Sequence, residues 1–152
     1  MGRIEDKLNS LGIQLPETAK PLAAYIPAKQ SGSLVFTAGQ LPLVDGNLVA
    51  TGLLGKDLEV EEAKAAARIC VINALSAVKG VIGDLDKIKQ VVRVVGYVAS
   101  VPEFTQQPAI INGASELLLE IFEDAGRHAR SAIGVAVLPL NAAVEVELTV
   151  EV

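Results

Sequence analysis

Apolar residues recur at helical spacing in three stretches of the chain and at strand spacing through most of the rest. Ile4, Leu8 and Leu11 precede Gly12, which predicts a short helix over residues 3–11. Pro16 and Pro21 mark a loop, and residues 23–29 read as a strand whose Pro27 suggests an edge or a bulge. Ser31-Gly32-Ser33 is a turn. It leads into a compact buried strand, Leu34-Val-Phe-Thr37, that ends at Ala38-Gly39-Gln40. Asp45-Gly46-Asn47 predicts a hairpin turn between residues 41–44 and 48–50.

A long amphipathic helix follows over 59–81, with apolar side chains at 60, 63, 67, 70, 71, 74, 75 and 78. Glu61 and Glu62 favour its N-terminus, and Gly80 and Gly83 lie beyond its end. Residues 88–101 are too apolar for a one-sided surface strand and read as a central strand covered on both faces. Ile111, Ala114, Leu117, Leu118, Ile121 and Phe122 form the stripe of a second long helix, about 106–124. A loop at 124–129 and two C-terminal strands complete the chain. The order β-β-β-α-β-α-β-β predicts an α+β fold, two long helices on one face of a mixed β-sheet. Several strands are apolar on both sides, and no helix is left to cover the second face. Self-association is the expected cover.

The 152 residues fit one domain, with residues 1–20 as an N-terminal helix and loop extension. Hydrophobic residues make up 51% of the chain but aromatics only 3%, so the core must be aliphatic. The net charge of −5 and pI near 4.9 argue against a surface that tracks phosphates, and hence against nucleic acid as partner. The N-terminus carries acids where a signal peptide has a basic region, and no apolar run approaches the ~20 residues of a spanning helix. The expectation is a cytoplasmic protein without a membrane partner. One His and one Cys are too few for a disulfide or a His/Cys metal site, and no phosphate-cradling glycine motif occurs, so no cofactor is expected. What remains is chemistry by Arg, Glu, Tyr, backbone groups and water.

The C-terminal strands carry that chemistry. Arg130 stands at the mouth of an apolar strand, where its planar guanidinium can take a carboxylate through two parallel hydrogen bonds. The alternative is a structural ion pair with Asp124 or Glu147. After the turn at Leu138-Pro139, the last strand returns with Glu145 and Glu147 on one face, either of which could sit close to Arg130 and orient a water. His128 reads as a solvated loop side chain, and Cys70 as core packing on the long helix.

These elements together resemble the Rid family of reactive intermediate deaminases, also called the YjgF or L-PSP endoribonuclease family. Ala129-Arg-Ser131, Leu138-Pro139 and Val144-Glu-Val-Glu147 match the family's Arg-Ser…Leu-Pro…Val-Glu-Ile-Glu pattern in spacing. Leu34-Val-Phe-Thr-Ala-Gly-Gln40 resembles its strand ending in Ser-Gly-Gln. Tyr25 stands thirteen residues before Ala38, as a family tyrosine does before that serine. Asn112 resembles the asparagine of the family's second helix.

The resemblance implies a chorismate-mutase-like fold and a homotrimer with a ligand cleft at each subunit interface. It implies hydrolysis of 2-imino or enamine acids to 2-keto acids and ammonia. It further implies that Arg130 binds the substrate carboxylate and Glu145 polarises the water, with Tyr25, Gly39, Asn112 and Ala132 lining the cleft. Three features depart from the pattern. Ala132 stands where a cysteine is common, Ala38 replaces the serine, and the stretch from Asn112 to Arg130 is one residue longer. The departures leave room for two other functions: a non-catalytic module binding a small carboxylate such as a keto acid, or an endoribonuclease, against which the acidic charge and sparse aromatics speak.

Overall fold

Strict alternation in the last strand makes one of its sides wholly apolar, and that strand is the middle of the sheet. The computed structural model describes residues 2–18 and 24–152. Its elements are α1 (Arg3–Ser10), β1 (Ala28–Ser31), β2 (Leu34–Thr37), β3 (Leu43–Val44), β4 (Asn47–Leu48), α2 (Val60–Ile82), β5 (Gln90–Ala99), α3 (Gln107–Phe122), β6 (Ala129–Val135) and β7 (Val144–Glu151). Five strands form one sheet in the order β1-β2-β7-β5-β6. Among the described pairs of this sheet, β5–β6 alone is parallel. β3 and β4 form a separate hairpin around Asp45 and Gly46, both at positive φ as a two-residue hairpin turn requires.

Helices α2 and α3 lie side by side on one face of the sheet. Beneath them Val91, Val94 and Val98 of β5 and Val144, Val146, Leu148 and Val150 of β7 are buried. Each such side chain contributes ~1.5–3 kcal/mol when fully removed from water. A reciprocal capping box between Glu59 and Glu62 opens α2, and Gly83 closes it in a left-handed turn. Contrary to the sequence reading, α2 is long and apolar enough by length and composition to cross a bilayer, with a mean hydropathy of 1.6 over its most apolar window. Its apolarity has another cause: 56% of that window is buried inside the fold as core.

Gly96 sets how closely α3 approaches. It lies between Ala132 and Val146 in the sheet, and a Cβ there would collide with the Ile111 side chain. That close approach brings the next turn of α3 over the edge strand β6. At the far end α1 buries Ile4 and Leu8, and Asp86 accepts the amides of Arg3 and Ile4 at 2.8 Å each. These bonds hold the Asp86 carboxyl below its ordinary range.

Several predicted boundaries move. The strand read over 23–29 is β1, which begins only after Pro27, because proline has no amide to continue a ladder. Residues 24–27 are not strand, and Pro21 and Ala23 lie outside the described residues. Gly80 lies inside α2, not beyond it, and packs against Thr18 of the N-terminal segment. The hairpin strands are shorter than read, and the 124–129 loop contains a 3-10 turn at Glu123–Gly126. The face away from the helices carries Arg93, Val95, Tyr97, Glu145, Glu147 and Thr149, flanked by the exposed Phe36 and Ile133.

Candidate functional site

Register decides where each candidate points. Arg130 pairs with Val94 and Ala132 with Gly96, so both lie on the helix side of the sheet. Glu145 pairs with Tyr97 and lies on the opposite, open side. The expected proximity of Arg130 and Glu145 is therefore overturned within one chain. Strand β5 separates their strands, and the sheet separates their side chains.

The Arg130 group is built by α3 and β6. Asn112 and Ser115 share one face of α3 at i,i+3 spacing. Arg130 donates through Nη1 to Asn112 Oδ1 at 2.8 Å and to Ser115 Oγ at 3.2 Å. Among the described residues Arg130 has no carboxylate partner. Asp124 pairs with Arg127, and Glu147 accepts from a tyrosine, so neither structural ion pair that competed with a functional role is present. The remaining edge of the guanidinium has no acceptor among the described residues. His128, expected to be solvated, is instead tied in. Its Nε2 lies 2.9 Å from Ser115 Oγ, and its Nδ1 lies 2.6 Å from the carbonyl oxygen of Gly126. Ala132 is half-buried against the core and adds only a methyl group.

The second group lies on the open face. Tyr97 donates its hydroxyl to Glu147 Oε1 at 2.8 Å, which occupies that carboxylate and pushes the phenol up to about 12. Glu145 is left without a hydrogen-bond donor among the described residues. Desolvation, and then the charge of Glu147, raise its pKa above the ordinary glutamate value. The sequence could not distinguish the two glutamates; Tyr97 does, and alternation puts it on one side of β5 with Arg93 and Val95, but only the β5–β7 pairing brings that side beside the glutamates.

Gly39 abuts Glu145. A Cβ at Gly39 would lie 2.7 Å from the carboxyl carbon, so only glycine leaves the carboxylate where it is. The Gln40–Val146 bridge, with bonds of 2.8 and 3.0 Å, fixes this approach. Tyr25 is 62% exposed and shares a shallow depression with Ile26, Lys29, Phe36 and Ala38, next along the chain from Gly39. Cys70 is buried beneath Val144, and burial raises its thiol pKa, as expected of core packing. No group of three His, Cys, Asp or Glu side chains able to hold a metal lies among the described residues. A hollow of about 490 Å³ between residues 12–17, the β3–β4 hairpin and α2 contains none of the candidates.

Known proteins share this fold. The family model described as "YjgF/chorismate mutase-like, putative endoribonuclease" matches residues 5–152. Protein TCP17 of Trypanosoma cruzi is 46% identical over 151 residues, covering 99% of this chain and 94% of that protein. The crystal structure of Atu1372 from Agrobacterium tumefaciens, a protein of unknown function, superposes with a TM-score of 0.91 at 46% identity over 98% of this chain and 92% of that one. A "putative endoribonuclease" from Shewanella oneidensis superposes with a TM-score of 0.93 at 40% identity over 98% and 99%. With its chorismate-mutase-like α+β fold and its matched C-terminal pattern, the chain belongs to the YjgF, or Rid, family.

Proposed function

We propose that the protein hydrolyses 2-imino or enamine acids to 2-keto acids and ammonia, without a cofactor, in clefts between the subunits of a homotrimer. The observation that carries this reading is the division of the site. One edge of the chain presents a fixed arginine with a free donor edge, and one face presents a carboxylate of raised pKa. Setting the edge of one copy against the face of the next unites them. Such a contact is heterologous, and heterologous contacts that close form rings. Exposed Tyr25, Ile26, Phe36 and Ile133 on or beside the open face give that contact apolar area.

In the united cleft, Arg130 takes the substrate carboxylate by its free edge, with Asn112 and Ala132 beside it. Glu145 of the neighbouring copy holds a water and takes one of its protons as the oxygen adds to the imine carbon. The imine reacts protonated, so the tetrahedral adduct carries an amine; Glu145 returns its proton to that amine, the C–N bond breaks to release ammonia, and the carbonyl forms as the hydroxyl proton passes back to Glu145. Tyr25 caps the cleft, and Gly39 leaves room for Glu145. A raised pKa suits a general base near neutrality. Modest acceleration suffices, because such imines hydrolyse spontaneously. Neither nucleic acid nor membrane takes part.

A coupled assay tests this. An amino-acid oxidase or dehydratase generates the imine, and semicarbazide traps what remains. Wild type should deplete the imine, while Arg130→Ala should lose ~100-fold or more in kcat/KM. Glu145→Ala should fall similarly and Glu147→Gln far less. Equal rates in wild type and Arg130→Ala sink the reading. The missing hydroxyl and thiol at Ala38 and Ala132 favour a second reading, a keto-acid binding module, which calorimetric binding of 2-ketobutyrate without any turnover would establish. Cleavage of single-stranded RNA by pure protein, lost in Arg130→Ala, would instead support the endoribonuclease that relatives are named for.

A further inference from the structure

We propose that His128, acting through Ser115, is a positioning residue that fixes the guanidinium of Arg130. The proposal rests on the function above only in taking Arg130 as the carboxylate clamp. Its basis is the direction of each hydrogen bond. A carbonyl oxygen can only accept, so the 2.6 Å contact with Gly126 requires a proton on His128 Nδ1. In the neutral ring Nε2 is then an acceptor, and among the described residues the donor that faces it is the Ser115 hydroxyl at 2.9 Å. The serine proton is thereby turned toward the histidine. Its lone pairs are turned toward Arg130, whose Nη1 donates to them at 3.2 Å.

The chain from the Gly126 carbonyl to Arg130 is thus directional. Without the imidazole, the Ser115 hydroxyl is free to bond back to the helix carbonyls, as serines in helices do. Arg130 would then keep Asn112 alone and could swing about that single bond. Alternation puts His128 and Arg130 on the same side of the chain entering β6, and helical spacing puts Ser115 one turn beyond Asn112. Of the other charged groups on the surrounding elements, Glu116 pairs with Lys64, Glu120 with Arg68, Asp124 with Arg127 and Arg93 with Ser131, while Glu123 is exposed at the end of α3. Neither Ser115 nor His128 touches the reacting atoms in this scheme.

Four proteins test the proposal: wild type, Ser115→Ala, His128→Ala and His128→Gln, the last retaining an acceptor near the Nε2 position. Nitrogen NMR of the free protein reads the His128 tautomer and the rotation of the Arg130 guanidinium about its Nε–Cζ bond. Calorimetry reads 2-ketobutyrate affinity, and the coupled assay separates KM from kcat. The expected results are an Nδ1–H tautomer, slow guanidinium rotation in wild type and His128→Gln, and fast rotation in the two alanine variants. Keto-acid binding should weaken about tenfold in the alanine variants, the scale of one hydrogen bond to a charged group, with KM rising and kcat nearly unchanged. Rotation that stays slow in His128→Ala overturns the proposal, as does undiminished keto-acid affinity in a wild type and variants that all bind. A wild type that binds no keto acid and deaminates nothing refutes the proposed function, and rotation alone then decides the role of His128.

Discussion

The arginine side and the glutamate side of the candidate site use the same kinds of polar group to opposite ends. Around Arg130 each group has a partner: Asn112 and Ser115 accept from the guanidinium, and His128 and Gly126 settle Ser115. Around Glu145 the partners are withheld. Tyr97 satisfies Glu147, while Glu145 faces burial, a like charge and a bare glycine. Satisfaction fixes a geometry; withholding it shifts a proton equilibrium. The first suits recognition of a fixed charge, and the second suits a group that must exchange a proton with water.

The contrast can be broken from either side. The largest effect is expected from Gly96→Val, which drives a branched side chain into Ile111 and lifts α3 from the sheet. Thermal unfolding should report a loss of ~1–3 kcal/mol, the usual cost of overpacking. Arg130 should lose Asn112 and Ser115 although none of the three is altered. Gly39→Ala acts on the other half. Its Cβ displaces a flexible carboxylate rather than backbone, so imine hydrolysis should fall about tenfold through a misplaced base while the melting temperature barely moves.

The smallest effect sharpens the electrostatic contrast. The folded state holds the Glu145 proton more tightly than the unfolded chain, so wild-type stability should decrease as pH rises from the ordinary glutamate value of 4.5 through the raised one. Glu145→Gln removes that loss and should be slightly more stable at neutral pH, by under ~1 kcal/mol because the carboxylate is half-exposed and screened. The advantage should vanish in melts below pH 4.5.

Local pattern carried most of the elements. The stripes through Ile111 to Phe122 and Val60 to Val78 mark both long helices, and Val144–Glu151 reads as a strand, but the central position read for residues 88–101 belongs to this last strand instead. Pairing was not legible. Nothing local says that β5 inserts between β6 and β7, so two strands joined by a short turn read as neighbours and put Arg130 beside Glu145. A lone histidine in a polar stretch reads as solvated; the partner of His128, Ser115, comes from a helix that only the fold lays across it. The serine itself was within reach, being three residues after Asn112 on the same helical face.

The parallel pairing of β5 with β6 has a consequence for the order of assembly. β5, α3 and β6 form one strand–helix–strand crossover, and among the described strands β6 pairs with β5 alone. All the groups that hold Arg130 lie within 18 residues of it in the chain, whereas Gly39 and Glu145 meet across most of its length. Loop closure costs more the longer the loop, so contacts within the crossover can form before the distant ones. On a chain emerging from synthesis, the arginine half can take shape while β7, with its glutamates, has yet to be made.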